Sequence, residues 1–277
     1  MVVLNIPSEV YLYDGGKSKS LKLNEISRYI KKTFKNFKVK IREEFINFYL
    51  SKLPIEKRKE VVKILGERFA SIKVYKIGSR DLRREPLPGE IEYEIRRLLD
   101  KKSKSSGILY DGFKLEEILS EFIPKDELNF KFCHIVFTNQ LFGTWDENDK
   151  RWHARVSIYG FPSIISTTGI VEAPAKPKEF YLKKQMGINI EILKKEFEGR
   201  FIDYDDYRLT EVMKGYVMQS IFFHITGEPF CSNKKCRLFN AHWQEEVINS
   251  QLKKGDEFCK KHQEIIDKIN KNLSLPE

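Results

Sequence analysis

The chain has 277 residues, 41% of them hydrophobic and 32% charged, with a formal net charge of +10. This composition belongs to a globular protein long enough for a full hydrophobic core, and it excludes a disordered or low-complexity chain. No run approaches the ~20 apolar residues of a transmembrane helix and Met1 to Val10 lacks the pattern of a signal peptide, so a soluble cytoplasmic protein without a membrane partner is expected.

Val10 to Tyr13 reads as a short strand, followed by a turn at Gly15-Gly16. Leu23 to Phe34 has helical spacing in Ile26, Tyr29, Ile30 and Phe34, and Phe37 to Ile46 reads as a second strand. This β-α-β start points to a mixed or parallel sheet. A helix over Ile55 to Phe69 opens behind Pro54. Ile72 to Ile77 reads as a third strand, Gly89 to Leu99 as a charged helix, Lys101 to Gly107 as a basic linker and Leu115 to Phe122 as a short helix.

The middle third is strand-rich. Phe130 to Phe137 is apolar on both faces, as a central strand is. Trp152 to Tyr159 alternates, with Trp152, Ala154, Val156 and Ile158 on one face and His153, Arg155, Ser157 and Tyr159 on the other. Ser163 to Val171 reads as a strand or a shaped loop, and the small polar run Gly160 to Gly169 has the character of a ligand-binding loop. Pro174 and Pro177 interrupt regular structure. The last third is helical: Ile190 to Phe197, a long helix from Tyr207 to Ile225 ending at Gly227, then Trp243 to Lys253 and Asp256 to Ile269. The end of the long helix, Ile221 to Ile225, is apolar around most of its circumference and should be buried. The expected fold is a single α+β domain over 1–277, a mixed β-sheet with flanking helices. Its sheet-containing part spans 1–206 and its helical part 207–277.

Charge is unevenly spread. Residues 1–110 hold 26 Lys and Arg against 14 Asp and Glu, while residues 111–277 hold 24 against 26. Basic pairs recur at Lys31-Lys32, Arg83-Arg84, Arg96-Arg97 and Lys101-Lys102. Such a field attracts phosphate polyanions, but no aromatic-interleaved motif accompanies it. A solvated lysine-rich surface is therefore the preferred reading, with weak, non-specific nucleic-acid binding through residues 1–110 as the expectation.

The informative chemistry lies near the C-terminus. Cys231 and Cys236 form a C-x4-C pair, and Cys259 and His262 a C-x2-H pair. Two close pairs brought together by a fold supply the four ligands of a tetrahedral zinc site. In a reducing cytoplasm such clustering favours metal over disulfide. The spacing predicts one structural zinc ion that staples the helical part. Cys133, alone in an apolar strand, reads as a core residue.

The run His224-x2-Gly227-x2-Phe230-Cys231-x4-Cys236-x-Leu238, with Cys259-x2-His262 downstream, resembles the archaemetzincins, zinc metallopeptidases of the metzincin class. Their pattern is H-E-x-x-H-x-x-G-x-x-H-C-x4-C-x-M, followed by C-x-x-C. The resemblance implies a metzincin-like fold. It aligns His224 with the second metal-binding histidine and the Cys/His pairs with the structural zinc site. It also places Ser220 where the first histidine belongs, Ile221 at the general-base glutamate, Phe230 at the third histidine and Leu238 at the methionine. Metzincin chemistry needs three histidines for a catalytic zinc and a carboxylate to deprotonate its water. His224 alone remains as a catalytic candidate, and a hydrogen-bonded core histidine is the preferred reading of it. No second, catalytic zinc is expected.

Other candidate ligand residues are His134, His153, Arg155 and Glu172. The resemblance implies that a strand in the region of Trp152 to Tyr159 lines a substrate cleft as an edge, where an extended peptide can pair. His242, opening a helix, reads as a capping or surface residue. Three readings follow. The first is a metallopeptidase-like zinc protein of archaemetzincin ancestry with a degenerate centre, used to bind peptides or a protein partner. The second is an active zinc hydrolase whose ligands come from His134, His153, His224 and Glu172. The third is a nucleic-acid- or ribosome-associated protein.

Overall fold

The structure is a computed structural model that describes residues 4–80, 85–100, 107–252 and 255–272. Arg83-Arg84, Lys101-Lys102 and nearly all of the expected linker at 101–107 lie outside the described residues. The strands are β1 (Glu9–Gly15), β2 (Lys38–Glu43), β3 (Leu109–Asp111), β4 (Phe132–Thr138), β5 (Leu141–Asp146), β6 (Arg151–Arg155), β7 (Ser157–Ile158) and β8 (Ser163–Ser166). The helices are α1 (Leu23–Thr33), α2 (Phe45–Leu50), α3 (Ile55–Ser71), α4 (Pro88–Leu99), α5 (Gly112–Ser120), α6 (Gly169–Glu172), α7 (Lys178–Gln185), α8 (Ile190–Glu196), α9 (Leu209–Thr226), α10 (Gln244–Gln251) and α11 (Lys260–Asn272).

The fold is α+β, as expected. One sheet has the order β2-β1-β4-β8-β7, parallel except for the antiparallel edge strand β7, and a second has the order β3-β5-β6. The apolar residues of the central strands alternate between two cores. Val10, Leu12, Cys133, Ile135, Phe137 and Ile165 face a core shared with α1, α9, α10 and α11. Tyr11, Tyr13, Val136 and Ile164 face a core built on α2, α3 and α5. Burial on both faces is why these strands read as unbroken apolar runs. The first core runs from Val10 to Ile269, so the N-terminal and C-terminal parts share it.

Helix α1 buries Leu23, Ile26 and Ile30, one stripe of a helix, against the sheet and α9. Pro54 precedes α3 as its N-cap. Helix α9 is buried on nearly every side and stops at Gly227, whose φ of 76° is left-handed and whose N–H donates to Phe223 O at 2.7 Å. A glycine adopts this conformation without the Cβ clash that other residues meet.

Several elements differ from the sequence expectation. Ile72 to Ile77 is not a strand. It makes a single bridge, Lys73 to Tyr110, because its neighbour β3 has only three residues and no ladder propagates. Phe37 to Ile46 ends early, since Phe45 starts α2 after Glu44 caps it by accepting from Asn47 N at 2.9 Å. The stretch Trp152 to Tyr159 is two strands, not one. Its first half pairs with β5, but Val156 O accepts from Ser166 N and the second half pairs with β8 in the other sheet. The presumed ligand loop after it is a buried brace. Ser166 Oγ donates to Gln140 O (2.6 Å), Thr167 Oγ1 to Gly16 O (2.7 Å) and Thr168 Oγ1 to Asn139 O (2.7 Å). These hydroxyls tie the segment to carbonyls just beyond the C-terminal ends of β1 and β4.

Candidate metal centre and the cleft beside the long helix

Beyond Gly227 the chain leaves α9 and folds back on itself. Cys231 N donates to Leu238 O, and Cys236 N to Asn233 O, both at 2.9 Å. Arg237 N donates to Glu257 O at 2.7 Å, which draws the segment before α11 alongside. The buried Arg237 is neutralised by Glu211 (2.7 Å) and Glu257 (3.1 Å), and its guanidinium lies 5.1 Å from the Tyr29 ring centre. Cys259 and His262 then enter from the start of α11. His262 packs edge-on against Phe222 of α9 at 5.3 Å.

The Sγ atoms of Cys231, Cys236 and Cys259 and a ring nitrogen of His262 all lie within 4.8 Å of one another. Cys231 Sγ and Cys259 Sγ are 3.8 Å apart, far beyond a disulfide bond. Two thiolates each ~2.3 Å from a tetrahedral zinc would sit about 3.8 Å apart, and a thiolate and an imidazole about 3.6 Å apart. Cys236 Sγ lies 3.6 Å from His262 Nδ1 and Cys259 Sγ 3.1 Å from it, the latter pair closer than that ideal. The donor set and its dimensions fit a metal ion. Burial pushes the Cys236 thiol up to about 12. Burial also works against the Cys259 thiolate, but hydrogen bonds from the His262 and Lys261 backbone and from the neighbouring thiols outweigh it and lower its pKa. Burial lowers the His262 pKa and keeps its ring neutral, the form that ligates. Cys133 stays apart as a buried thiol, pushed up to about 12 by burial.

Among the described residues the other candidates form no common ligand cluster, although His134 and His224 both pack against the Phe161 ring. His224 bonds through Nε2 to Phe130 O at 2.9 Å beside the Phe130 and Phe161 rings, and burial lowers its pKa. Glu172 accepts from Tyr204 Oη at 3.0 Å. His153 lies 2.9 Å from Asp149 at the β5–β6 hairpin and, with Asp146, forms the other group of potential metal ligands among the described residues. That trio contributes nothing to the lining of the cleft described below. The ligand set His134, His153, His224 and Glu172 is therefore not assembled, because each residue is held by its own element.

His134 belongs to a buried network. Its Nδ1 lies 2.9 Å from Tyr13 Oη, which contacts Tyr49 Oη (2.8 Å) and accepts from Arg42 (2.7 Å). Arg42 makes a bidentate pair with Glu127, at 2.9 and 2.8 Å. Burial, reinforced by the Arg42 charge and only partly opposed by Glu127, lowers the His134 pKa to about 4. The unfolded histidine, at about 6.5, takes up its proton first. Stability should therefore be full above pH 6.5 and fall as the pH drops towards 4, by about 3 kcal/mol from this residue. Urea unfolding between pH 7 and 4.5 measures the slope. An equally steep slope in His134→Gln would remove this residue as its source.

A cavity of about 460 Å³ opens between the β6–β7 segment and α9. Arg155, Ser157 and Tyr159 line one side, Gln219 and Phe223 of α9 the other, and Phe230 and His242 the end of the chain reversal. Ser157 Oγ donates to Tyr159 Oη (2.7 Å), Tyr159 Oη to Gln219 Oε1 (2.6 Å), and Gln219 Nε2 to Phe239 O (3.1 Å). This chain ties strand, helix and loop together. Ser220 and Ile221 are both fully buried away from the cleft, with Ser220 Oγ donating to Tyr216 O at 3.0 Å. Gln219 and Phe223, four residues apart on the same helix face, take the cleft-lining places instead. Of the motif positions aligned on Gly227, Phe230 does line the cleft. Among the described residues the lining contains no Asp, Glu or Cys, and His242 is its sole imidazole. Alignment on Gly227 could not find Gln219 or His242. The i, i+4 pair Gln219 and Phe223 was the available signal.

The model of a probable metallopeptidase family (DUF6775) matches residues 6–269 of the chain. No curated protein and no solved structure shows significant similarity to it. Among the described residues no helix is long and apolar enough to cross a membrane.

Proposed function

Because the chain belongs to this probable metallopeptidase family, we propose that it is a divergent member of archaemetzincin ancestry that holds one structural zinc and uses its cleft to bind an extended peptide or protein segment. The observation that carries this reading is the lining of the cleft: Tyr159, Gln219, Phe223 and Phe230 in place of a metal triad and a base. In support, the two-residue strand β7 is the outer strand of its sheet, so among the described residues its far edge has no strand partner in that sheet. Such an edge can accept an added strand through main-chain hydrogen bonds, with side-chain pockets supplying selectivity. At the metal centre, Cys231, Cys236, Cys259 and His262 would hold zinc as a closed site with no open coordination position, which suits a structural role.

Hydrolysis by the metzincin route would need a carboxylate base and a metal-bound water at the cleft. General-base assistance is worth roughly 10²–10⁴ in rate, and the metal adds Lewis-acid stabilisation. Neither Gln219 nor Phe223 can accept a proton from water or anchor a catalytic ion. A broad peptide-library digest with added zinc is expected to show no chelator-sensitive cleavage, and purified protein is expected to carry one zinc per chain. Two zinc ions per chain, with cleavage abolished by His224→Ala or His153→Ala, would instead establish a hydrolase with relocated ligands.

A further inference from the structure

Among the described residues that line the cleft, Arg155 is the only one with a permanent charge. Its Nε donates to Thr144 Oγ1 at 2.8 Å, which orients the guanidinium. No carboxylate of the described residues pairs with it. The acid whose field reaches it, Asp146, is committed to the N–H groups of Asn148 (2.8 Å) and Asp149 (3.2 Å). Other arginines that the fold half-buries or buries are satisfied. Arg42 meets Glu127, Arg97 meets Glu94, Arg208 meets Asp206 and Arg237 meets Glu211, while Arg58 donates to the Leu53 and Ser51 carbonyls. A half-buried guanidinium without an anion is costly, because it is partly stripped of water with no compensating charge. Its planar fork matches a carboxylate.

The rest of the lining sets what surrounds that carboxylate. Phe113, Phe223 and Phe230 are apolar walls, and no lining acid repels an anion. We propose that Arg155 selects an acidic side chain, flanked by apolar residues, in an extended peptide lying across the cleft. This rests on the peptide-binding reading above. An internal segment fits better than a chain end because Arg155 ends β6 and β7 begins two residues on, each the outer strand of its sheet among the described residues, so an added strand can run on past the guanidinium.

The test is a positional-scanning library of N-acetylated, C-amidated octapeptides with a fluorophore, read by anisotropy against the full-length, zinc-loaded protein. One position should prefer Glu or Asp over Gln or Asn by about tenfold or more, the range of a charge-assisted hydrogen bond in a partly dry site. Arg155→Met should erase that preference and Arg155→Lys should keep part of it, with zinc content and melting temperature as folding controls. Persistent binding with no acidic preference, or a preference that survives Arg155→Met, overturns the assignment of Arg155 and leaves the binding reading intact. If neutral peptides with a free C-terminal carboxylate bind as tightly as acidic ones, and lose that affinity in Arg155→Met, the ligand is a chain terminus and the side-chain assignment is wrong. A library that does not bind at all overturns both readings.

Discussion

Cys236→Ser and Cys259→Ser should each lose the bound zinc and destabilise the fold by at least about 3 kcal/mol. The size follows from what the four ligands connect. Cys231 and Cys236 belong to the chain reversal after α9, and Cys259 and His262 to the start of α11. That junction is otherwise tied by the Arg237 pairs, the Cys231 and Cys236 backbone bonds and the packing of Ile266 and Ile269 into the core. A metal that binds the folded and not the unfolded chain adds its binding free energy to stability, and structural zinc in small sites commonly supplies folding energy outright. Elemental analysis and thermal melts, with and without chelator, measure both effects. Protein that carries no zinc as purified, or variants that melt with wild type, would refute the assignment of the site. Because ligation needs thiolates, loading should also weaken as the pH falls.

Glu94→Ala should cost about 3–5 kcal/mol, the penalty for stranding a buried cation. Glu94 is fully buried on α4, 2.7 Å from Lys73 Nζ and 3.5 Å from Arg97 Nε, and it accepts from Tyr110 Oη at 2.9 Å. It joins α4 to the segment after α3 and to β3. Removing the carboxylate leaves Lys73, itself only 5% exposed, without its counter-charge. The double variant Glu94→Ala with Lys73→Met should recover part of the loss, since removing both charges also removes their desolvation cost. Chemical denaturation of the two single variants and the double variant gives the coupling. A double variant no more stable than Glu94→Ala would show that the loss comes from packing and not from the stranded charge.

The Cys/His cluster that could hold a metal was legible in the chain because ligand chemistry constrains sequence locally. Two short-range pairs, Cys231 with Cys236 and Cys259 with His262, announce themselves by residue type and spacing, and the fold had only to bring them together. The end of α9 was equally plain, since Gly227 needs no distant contact to take its left-handed turn. Central strands β1 and β4 were visible because burial on both faces leaves an unbroken apolar run. What the chain alone left open depends on partners far away in sequence. Lys73 looks like one more surface lysine until Glu94 and Tyr110 enclose it. The alternating stretch around Val156 looks like one strand until β5 and β8, in different sheets, compete for its two halves. The serines and threonines of Ser166 to Thr168 look like a ligand loop until the carbonyls of Gly16, Asn139 and Gln140, just past β1 and β4, claim their hydroxyls. The cleft is the strongest case. The rotation of α9 is set by packing its apolar side chains into the core, and that rotation turns Ser220 and Ile221 away from the cleft and places Gln219 and Phe223 along it. The i, i+4 pair Gln219 and Phe223 could be read from the chain, but apolar residues spread around α9 mark no single buried stripe, so tertiary packing decided which of its residues line the cleft.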